Sequence, residues 1–330
     1  MKVLITGGAG FIGSTVASAC LDAGIVPVIL DDLSTGRESF AAGRHFYRGD
    51  IEDAALLDRI AADHPDIAVA IHCAAKIVVP DSVRAPLDYY EANVGKSIEL
   101  LRNLGRNGIE RVIFSSSASV YGADDGGAVT EEDAVVPSSP YARTKAIVEQ
   151  ILADSAAAGE LRAIALRYFN PIGADPQSRS GLAHRDPSHV LGLLISAHRR
   201  GGAFTITGVD WPTRDGSGLR DFIHVWDLAQ AHVRAVERFD AVTADEPFRV
   251  INLGGGTGTT VRELVAAFER VTGAPVDVRI GPNRPGDVAG AYADARRAAD
   301  LLGWHAALTI DDGIRDSLAW AETLDSATGS

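Results

Sequence analysis

The sequence has few cysteines, no excess of basic charge and no long apolar run, and each shortage excludes a class of protein. Cys20 and Cys73 are its only cysteines and lie in apolar surroundings without metal-ligand spacing, so we expect buried free thiols and no metal site. The net charge of −13 includes no basic block, which argues against nucleic acid or an anionic membrane as a partner. No apolar run approaches the ~20 residues of a membrane span, and Met1 leads into a strand-like run without a signal peptide. We therefore expect a cytoplasmic protein.

The order of the predicted elements indicates an α/β fold in two parts. Strand-like and helix-like segments alternate over residues 1–170, which predicts a Rossmann-type, doubly wound parallel sheet that binds a dinucleotide. Residues 171–330 lack this rhythm and predict a smaller mixed α/β domain for the substrate, with some segments returning to the first domain. Residues 175–187 are rich in Pro, Gly, Ser and charge, which indicates a loop or lid.

A glycine-rich turn lies between the first predicted strand and helix. Val3 to Ile5 form a short apolar run, and Gly7, Gly10 and Gly13 follow it before a helix-compatible segment. The unpaired N–H groups at a helix start stabilise an anion such as a pyrophosphate. Asp31 ends the second strand, 18 positions beyond Gly13, where a carboxylate accepts the ribose hydroxyls and repels a 2′-phosphate. This spacing predicts NAD, and the nearby Arg37 leaves NADP as an alternative.

A second group of residues indicates proton transfer. Tyr141 and Lys145 stand four apart on a predicted helix, so both project from one face. A nearby ammonium is expected to lower the pKa of the phenol, which then accepts the proton of a substrate alcohol. A solvent-facing helix pair would be the ordinary explanation for this spacing. The hydroxyl-rich strand end at Ser115–Ser117 and the nucleotide site favour the catalytic interpretation, with Ser117 bound to the same substrate oxygen.

Taken together, these motifs resemble the extended short-chain dehydrogenase/reductase family over nearly the whole chain, from Met1 to about Trp304. The matching segments are Thr6–Gly13, Ser115–Gly122, Tyr141–Lys145, Tyr168–Pro171, Gly218–Val225 and Arg284–Asp287. The last two segments are most similar to those of the family members that epimerise UDP-sugars. The resemblance implies reversible oxidation at C4 of a UDP-hexose through a 4-keto intermediate, with a tightly bound NAD that is regenerated in each turnover.

The resemblance also implies the roles of individual residues. Tyr141, Lys145 and Ser117 would be catalytic. The cofactor would contact Gly7, Gly10, Phe11, Ile12, Gly13, Asp31, Asp32, Asp50, Ile51, Ala74, Ala75, Asn93, Ser115, Tyr141, Lys145 and Tyr168. The UDP-sugar would contact Ser117, Tyr141, Asn170, His189, Arg220, Phe222, Arg284, Asp287 and Ala291.

Several alternatives follow from departures within this pattern. Ala118-Ser119 stand where the family's dehydratases carry an Asp-Glu pair, which disfavours dehydration. The small Ala291 would leave space for a 2-acetamido group, so UDP-GlcNAc and UDP-GalNAc join UDP-glucose and UDP-galactose as expected substrates; mere packing of Ala291 under its loop is equally compatible. His189 either binds the substrate or is a neutral helix residue. A UDP-pentose, a UDP-uronic acid and a non-catalytic NAD-binding regulator remain alternatives. Relatives pair through two helices, here near residues 86–105 and 140–158, which predicts a homodimer.

Overall fold

The computed structural model describes residues 1–122, 126–182, 189–283 and 288–326. Its strands are β1 (Lys2–Thr6), β2 (Val26–Asp31), β3 (His45–Arg48), β4 (Ile67–His72), β5 (Arg111–Ser117), β6 (Ala128–Val129), β7 (Arg162–Tyr168), β8 (Asn170–Ile172), β9 (Phe204–Thr207), β10 (Leu219–Arg220), β11 (Phe222–His224), β12 (Phe248–Leu253), β13 (Thr259–Thr260), β14 (Val278–Gly281) and β15 (Tyr292–Ala293). Its α-helices are α1 (Phe11–Asp22), α2 (Ala54–Asp63), α3 (Val79–Arg84), α4 (Pro86–Tyr90), α5 (Lys96–Arg106), α6 (Pro140–Ala157), α7 (Val190–Arg200), α8 (Val225–Glu237), α9 (Phe239–Val242), α10 (Val261–Thr272), α11 (Arg296–Leu302) and α12 (Ile310–Ser326).

Seven parallel strands form the central sheet in the order β3-β2-β1-β4-β5-β7-β12. Successive residues of β1 point into two separate cores, because side chains alternate along a strand. Val3 and Ile5 pack with residues of α1 and α8 on one face, whereas Leu4 packs with residues of α2, α5 and α6 on the other. The sheet is therefore covered on both faces, and the predicted doubly wound α/β class is confirmed.

The last strand of the sheet comes from the second half of the chain. All six residues of β12 pair in parallel register with β7, from Phe248 opposite Ala163 to Leu253 opposite Tyr168. The helix α8 packs on the same sheet against α1. These segments agree with the expectation that part of the second half returns to the first domain, and the division at residue 170 itself stays a prediction.

The remaining described elements build a smaller mixed region. Four two-stranded sheets pair β8 with β11, β9 with β14, β10 with β13 and β6 with β15. Side chains from α7, α10 and α12 form its separate apolar core. The predicted loop at 175–187 is described only to residue 182, and there Arg179 forms ion pairs with Asp175 and with Asp22 on α1. Across the parts of the chain that the structure describes, no helix is long and apolar enough to cross a membrane.

The single long helix expected over residues 86–105 was wrong in one respect. A π-helical turn at Glu91–Gly95 separates α4 from α5. This turn carries Asn93, whose buried side chain accepts from Lys76 N at 2.8 Å and donates to Lys76 O and to the Thr144 hydroxyl. Such turns occur where an α-helix must re-aim a side chain, frequently at functional sites.

Candidate active site

The turn after β1 has the shape of an anion cradle. Gly7 has a φ of +68°, and a Cβ there would lie 2.7 Å from the Ala74 backbone nitrogen. A Cβ on Gly13 would lie 2.2 Å from the Gly7 carbonyl oxygen, so the protein's own packing requires both glycines. A Cβ on Gly10 would meet only that carbonyl, at 3.3 Å. Gly10 is also the N-cap of α1 and makes no side-chain cap. The first-turn N–H groups of Phe11, Ile12 and Gly13 lie beyond it, without carbonyl partners inside the helix.

Two acidic residues end β2 and differ in their surroundings. Asp31 is buried and accepts hydrogen bonds from Ala9 N at 2.9 Å and Leu33 N at 2.8 Å. Burial raises the pKa of this carboxyl, and the two backbone hydrogen bonds oppose the rise. Asp32 is exposed and accepts from the backbone and hydroxyl of Ser34 within its own turn. Asp31 is thereby fixed beside the cradle, and Asp32 stays exposed within its turn.

The region after β3 contains an ion pair that the sequence did not indicate. Asp50 follows β3 and binds the ammonium of Lys96 at the start of α5, which also lies 3.3 Å from Glu52. The hydrogen bonds with these carboxylates raise the pKa of Lys96 above its ordinary value. Ile51 is buried next to Asp50. Lys96 therefore belongs to the surroundings of Asp50, one of the predicted cofactor contacts.

The position at which α6 begins places two of its side chains against the end of β5. Ser139 caps it by accepting from Ala142 N at 3.1 Å, and Pro140 occupies the first turn, where it costs no hydrogen bond. Tyr141 and Lys145 follow on one face and are 7% and 2% exposed. The side chain of Ser117 lies close enough to the Tyr141 hydroxyl to lower the pKa of this phenol. The structure thus brings the three predicted catalytic residues together.

The protein's own groups shift the pKa of Tyr141 in the direction opposite to the one predicted from Lys145. Burial raises the pKa of Tyr141 to about 12, and the side chain of Ser117 opposes this rise. Burial lowers the pKa of Lys145 to about 8. The Lys145 ammonium donates to the Ser115 carbonyl at 2.8 Å and lies 4.7 Å from the centre of the Phe114 ring. In the protein alone the pKa of this phenol is therefore raised, and not lowered as expected from Lys145, because burial outweighs the effect of the neighbouring groups.

Other predicted cofactor residues lie at the same edge of the sheet. Ala74 and Ala75 follow β4, beside Gly7, and Tyr168 ends β7 opposite Ser117. Burial, with Tyr141 nearby, raises the pKa of Tyr168 well above its ordinary value, so this phenol stays protonated. The Ser115 hydroxyl contacts Cys73 Sγ at 3.2 Å and His232 Nε2 at 3.0 Å, on the core side of the strand. The backbone carbonyl of Ser115, and not its hydroxyl, accepts the hydrogen bond from Lys145.

Most of the predicted substrate residues that the structure describes lie on the short strands and loops of the smaller region. Asn170 donates from its side chain to the Asp221 carbonyl at 3.1 Å, and Arg220 donates to the Leu219 carbonyl at 2.6 Å. Phe222 packs partly against the core of the smaller region. His189 caps α7 by accepting from Gly192 N at its Nδ1, a contact that requires this nitrogen to be unprotonated. Ala291 is half-buried beside Val120, Tyr121 and Phe169; Arg284 and Asp287 lie outside the described residues.

Two buried acids near the site escaped the sequence analysis. Asp221 is fully buried and accepts from the backbone N–H groups of Gly255, Gly256 and Ala293, next to Ala291. Burial raises its pKa to about 6 against these three hydrogen bonds. Glu149 lies one turn beyond Lys145 and pairs with the buried Arg167. The charge of Arg167 inside an apolar strand, and the four-residue spacing of Glu149 from Lys145, were signals that could have revealed the second acid.

These features fit a dinucleotide with its diphosphate at Gly10. The cradle is closed by protein at Gly7 and Gly13 and is open at Gly10, where a backbone can approach phosphate oxygens. Asp31 ends the strand β2, which is where such folds place the acid that binds the adenosine ribose. Its carboxylate would repel a 2′-phosphate. The cradle, Asp31 and Tyr141 lie along one continuous edge formed by the ends of β1, β2, β4, β5 and β7.

Comparisons with known proteins agree with this geometry. The sequence pattern of the NAD dependent epimerase/dehydratase family matches residues 3–254. The chain is 43% identical over 331 residues to UDP-glucose 4-epimerase of Azospirillum brasilense, covering 99% of this chain and 94% of the relative. A crystal structure of UDP-glucose-4-epimerase from Stenotrophomonas maltophila with bound NAD and formylated UDP-arabinopyranose superposes with a TM-score of 0.93, at 38% identity and 99% coverage of both chains. That of the Bifidobacterium longum enzyme in complex with NAD+ and UDP gives 0.88, at 36% identity and 98% coverage of both.

Proposed function

Because this chain belongs to the NAD dependent epimerase/dehydratase family, we propose that it is a UDP-hexose 4-epimerase. It binds NAD and interconverts UDP-glucose and UDP-galactose. The observation that carries this proposal is the meeting of Tyr141, Lys145 and Ser117 at the sheet edge that also holds the glycine cradle. The named epimerases, similar over nearly their whole length, support the reaction class.

The residues divide the proton chemistry between them. When bound, NAD+ accepts a hydride from the sugar, returns it, and contributes a positive charge beside the phenol. Tyr141 takes the proton of the C4 hydroxyl and gives it back, and Ser117 hydrogen-bonds the same oxygen. Lys145, anchored on the Ser115 carbonyl, presents its charge to the nicotinamide ribose and the phenol. Since the hydride must return to the opposite face, the sugar turns while the UDP group stays bound.

We assign the binding of UDP to polar side chains of the smaller region. Asn170 and Arg220 contact the diphosphate, since a guanidinium neutralises phosphate oxygens with bidentate geometry. Arg284 and Asp287 complete this set at the phosphate and the uridine ribose, and Phe222 supplies ring packing. Arg220 would exchange its present carbonyl contacts for the ligand's oxygens.

Dehydration, the family's other reaction, is disfavoured by the residues that follow Ser117. The short 3₁₀ turn Ala118–Val120 carries no carboxyl group, and Ser119 N donates to the Ser117 hydroxyl at 3.2 Å. A dehydratase needs an acid there to expel water. Ala291, by contrast, supports a wide sugar pocket that accepts UDP-GlcNAc and UDP-GalNAc.

An apolar surface supports a homodimer. Ile77, Val83 and Leu87 are 61%, 63% and 79% exposed, and Val79 and Ile147 add to the same face of α3, α4 and α6. Because these helices pack on one another, we infer that the exposed side chains form one patch. A second copy of this chain would cover it, because a soluble monomer rarely exposes a large contiguous apolar patch. We place the assembled enzyme in the cytoplasm.

A UDP-pentose is the second candidate substrate. The similar Stenotrophomonas protein was crystallised with a formylated UDP-arabinopyranose, which favours this candidate over a uronic acid. Incubating the purified protein separately with UDP-galactose, UDP-GalNAc and UDP-arabinose, and resolving the products, distinguishes the candidates.

Tyr141→Phe tests the catalytic assignment. It keeps the ring and loses the hydroxyl, so it should retain bound NAD while turnover falls by about 10²-fold or more. Absence of turnover by the wild-type protein on all three sugars, with NAD bound, would instead favour an NAD-binding regulator.

A further inference from the structure

Three consecutive residues of β5 contact three successive turns of α6. The Ser117 side chain lies beside the Tyr141 hydroxyl, the Ser115 carbonyl accepts from Lys145, and the Ser116 hydroxyl donates to the Glu149 carboxylate. The helix residues are spaced four apart and therefore share one face. The proposed reaction uses the first two contacts. The third lies deeper, one turn beyond Lys145, and the roles assigned so far leave it unexplained.

The Glu149 carboxylate is held from the other side by Arg167. Arg167 pairs in register with Ser116 on the neighbouring strand, so both side chains face α6. Its Nε donates to Glu149 Oε1 at 2.9 Å and its Nη2 to Oε2 at 2.5 Å. Both side chains are about 5% exposed, and the guanidinium stacks 4.8 Å from the centre of the Tyr121 ring. One carboxylate thus joins α6, β5 and β7.

A buried ion pair of this kind is costly to form and seldom adds net stability over apolar packing. Its geometric effect is specific, however, because two strands and a helix meet at a single charged group with fixed directions. We propose that Glu149 is a positioning residue, whose carboxylate sets the rotation of α6 against the end of β5 and so the places of Tyr141 and Lys145. This inference rests on the proposed function only for its activity readout.

Electrostatics around Lys145 give the proposal a second readout. Burial lowers the pKa of Lys145, and Cys73 and, to a smaller degree, the charge of Glu149 work against that decrease. The other ionisable groups facing this lysine are His72 and Cys73 on and after β4, Tyr141 on α6 and Tyr168 on β7. Burial keeps all four uncharged near neutral pH, with pKa values of about 3 for His72 and about 11 for Cys73. The carboxylate of Glu149, in its ion pair with Arg167, is therefore the charged group that acts on Lys145.

The experiment measures the titration of Lys145 directly. The chain has four lysines, Lys2, Lys76, Lys96 and Lys145, so ¹³Cε-lysine NMR gives few signals, and Lys145→Met assigns the relevant one. In Glu149→Gln the carboxylate is lost and Arg167 is left uncompensated, so the Lys145 midpoint should fall by about one unit or more. The double variant Glu149→Gln/Arg167→Gln leaves no unpaired buried charge and should fold even where the single variant does not. Its midpoint should lie between those of the single variant and the wild type.

Activity gives the matching positional readout. In both variants kcat should fall about tenfold or more, because the reacting groups are displaced. The KM for the UDP-sugar should stay unchanged, because the residues that bind UDP are not displaced. Asp154→Asn makes the same charge change on an exposed turn of α6 and should alter neither value. A purely structural role would lower the yield of folded protein and leave the midpoint and kcat of the folded fraction as in the wild type; this result would overturn the proposal. Failure of the proposed function would appear separately, as a wild-type enzyme without turnover and an intact NMR response.

Discussion

The ammonium of Lys145 lies 2.8 Å from the carbonyl oxygen of Ser115, a fully buried residue near the end of β5. This contact fixes the lysine by its backbone partner, independently of any ligand. Because burial lowers the pKa of Lys145 to about 8, its charge depends on pH close to neutrality. The site therefore combines a phenol that is protonated in the protein alone with a lysine that can lose its charge under mildly alkaline conditions.

Two glycine substitutions in the cradle should separate cofactor binding from folding. Gly10→Ala places a Cβ 3.3 Å from the Gly7 carbonyl oxygen, which the protein can absorb, but the methyl group faces the approaching diphosphate. We expect a large loss of NAD affinity with a change in the free energy of unfolding within about 1 kcal/mol. Gly13→Ala places its Cβ 2.2 Å from the same carbonyl oxygen and should lower both the NAD affinity and the free energy of unfolding. Calorimetric NAD titration and urea unfolding measure the two effects; equal stability losses in both variants would contradict this division.

Ala291→Tyr should narrow the sugar pocket. The side chain at this half-buried position lies beside Val120, Tyr121 and Phe169, and a phenol there would occupy the space assigned to a 2-acetamido group. We expect kcat/KM for UDP-GalNAc to fall by about tenfold or more while that for UDP-galactose changes little. Ala291→Ser is the matched control and should affect neither. Equal losses on both sugars would count against a specificity role.

The buried Asp221 should make stability depend on pH. Its pKa is raised to about 6, so the folded state binds the proton more tightly than the unfolded chain does. The resulting stabilisation is present below about pH 4 and is lost as the pH rises through 6, a change of about 3 kcal/mol. In Asp221→Asn this dependence disappears. The difference in unfolding free energy between wild type and variant should therefore fall by that amount between pH 4 and 7.

Denaturant unfolding at several pH values checks this prediction. Asp154→Asn, an exposed change on α6, serves as the control for the loss of one carboxyl group. A wild-type–variant difference that stays constant across the range would show that Asp221 titrates alike in the folded and unfolded states.

The apolar patch on α3, α4 and α6 should hold two copies together. Leu87→Asp adds a charge to its most exposed member and should convert a dimer into a monomer of 34.7 kDa in light scattering. Val278→Asp is the control, because Val278 is an exposed apolar residue on β14, away from this patch. A wild-type protein that is monomeric at micromolar concentration would exclude the proposed assembly.

The fold was predictable where the sequence repeats a simple physical pattern. The strand Ile67–His72 is apolar from Ile67 to Ile71, and strands of this kind alternate with helices, so the parallel sheet could be predicted. The π turn at Glu91–Gly95 was not predictable, because it depends on side-chain contacts of Asn93 with distant residues. The two-residue strands such as β15 are likewise too short for a local pattern and exist through their partners.

The site was predictable in its residues more than in its electrostatics. Tyr141, Lys145 and Ser117 could be placed together because parallel strands end at one edge. The direction of the Tyr141 pKa shift could not be predicted, because it depends on how deeply the phenol is buried. The four-residue spacing does not reveal that depth. The partners of Asp50 and Glu149 come from other elements of the fold, and only the assembled sheet brings them into contact.

The pairing of β12 with β7 has a consequence for how this protein is made in the cell. Some 80 residues separate the end of β7 from the start of its neighbour, so a chain emerging from the ribosome carries β7 as a bare, apolar sheet edge until β12 follows. Nascent polypeptides stalled between these strands would be natural clients for chaperones, and a gene split near residue 170 would yield halves that must find each other to finish the sheet.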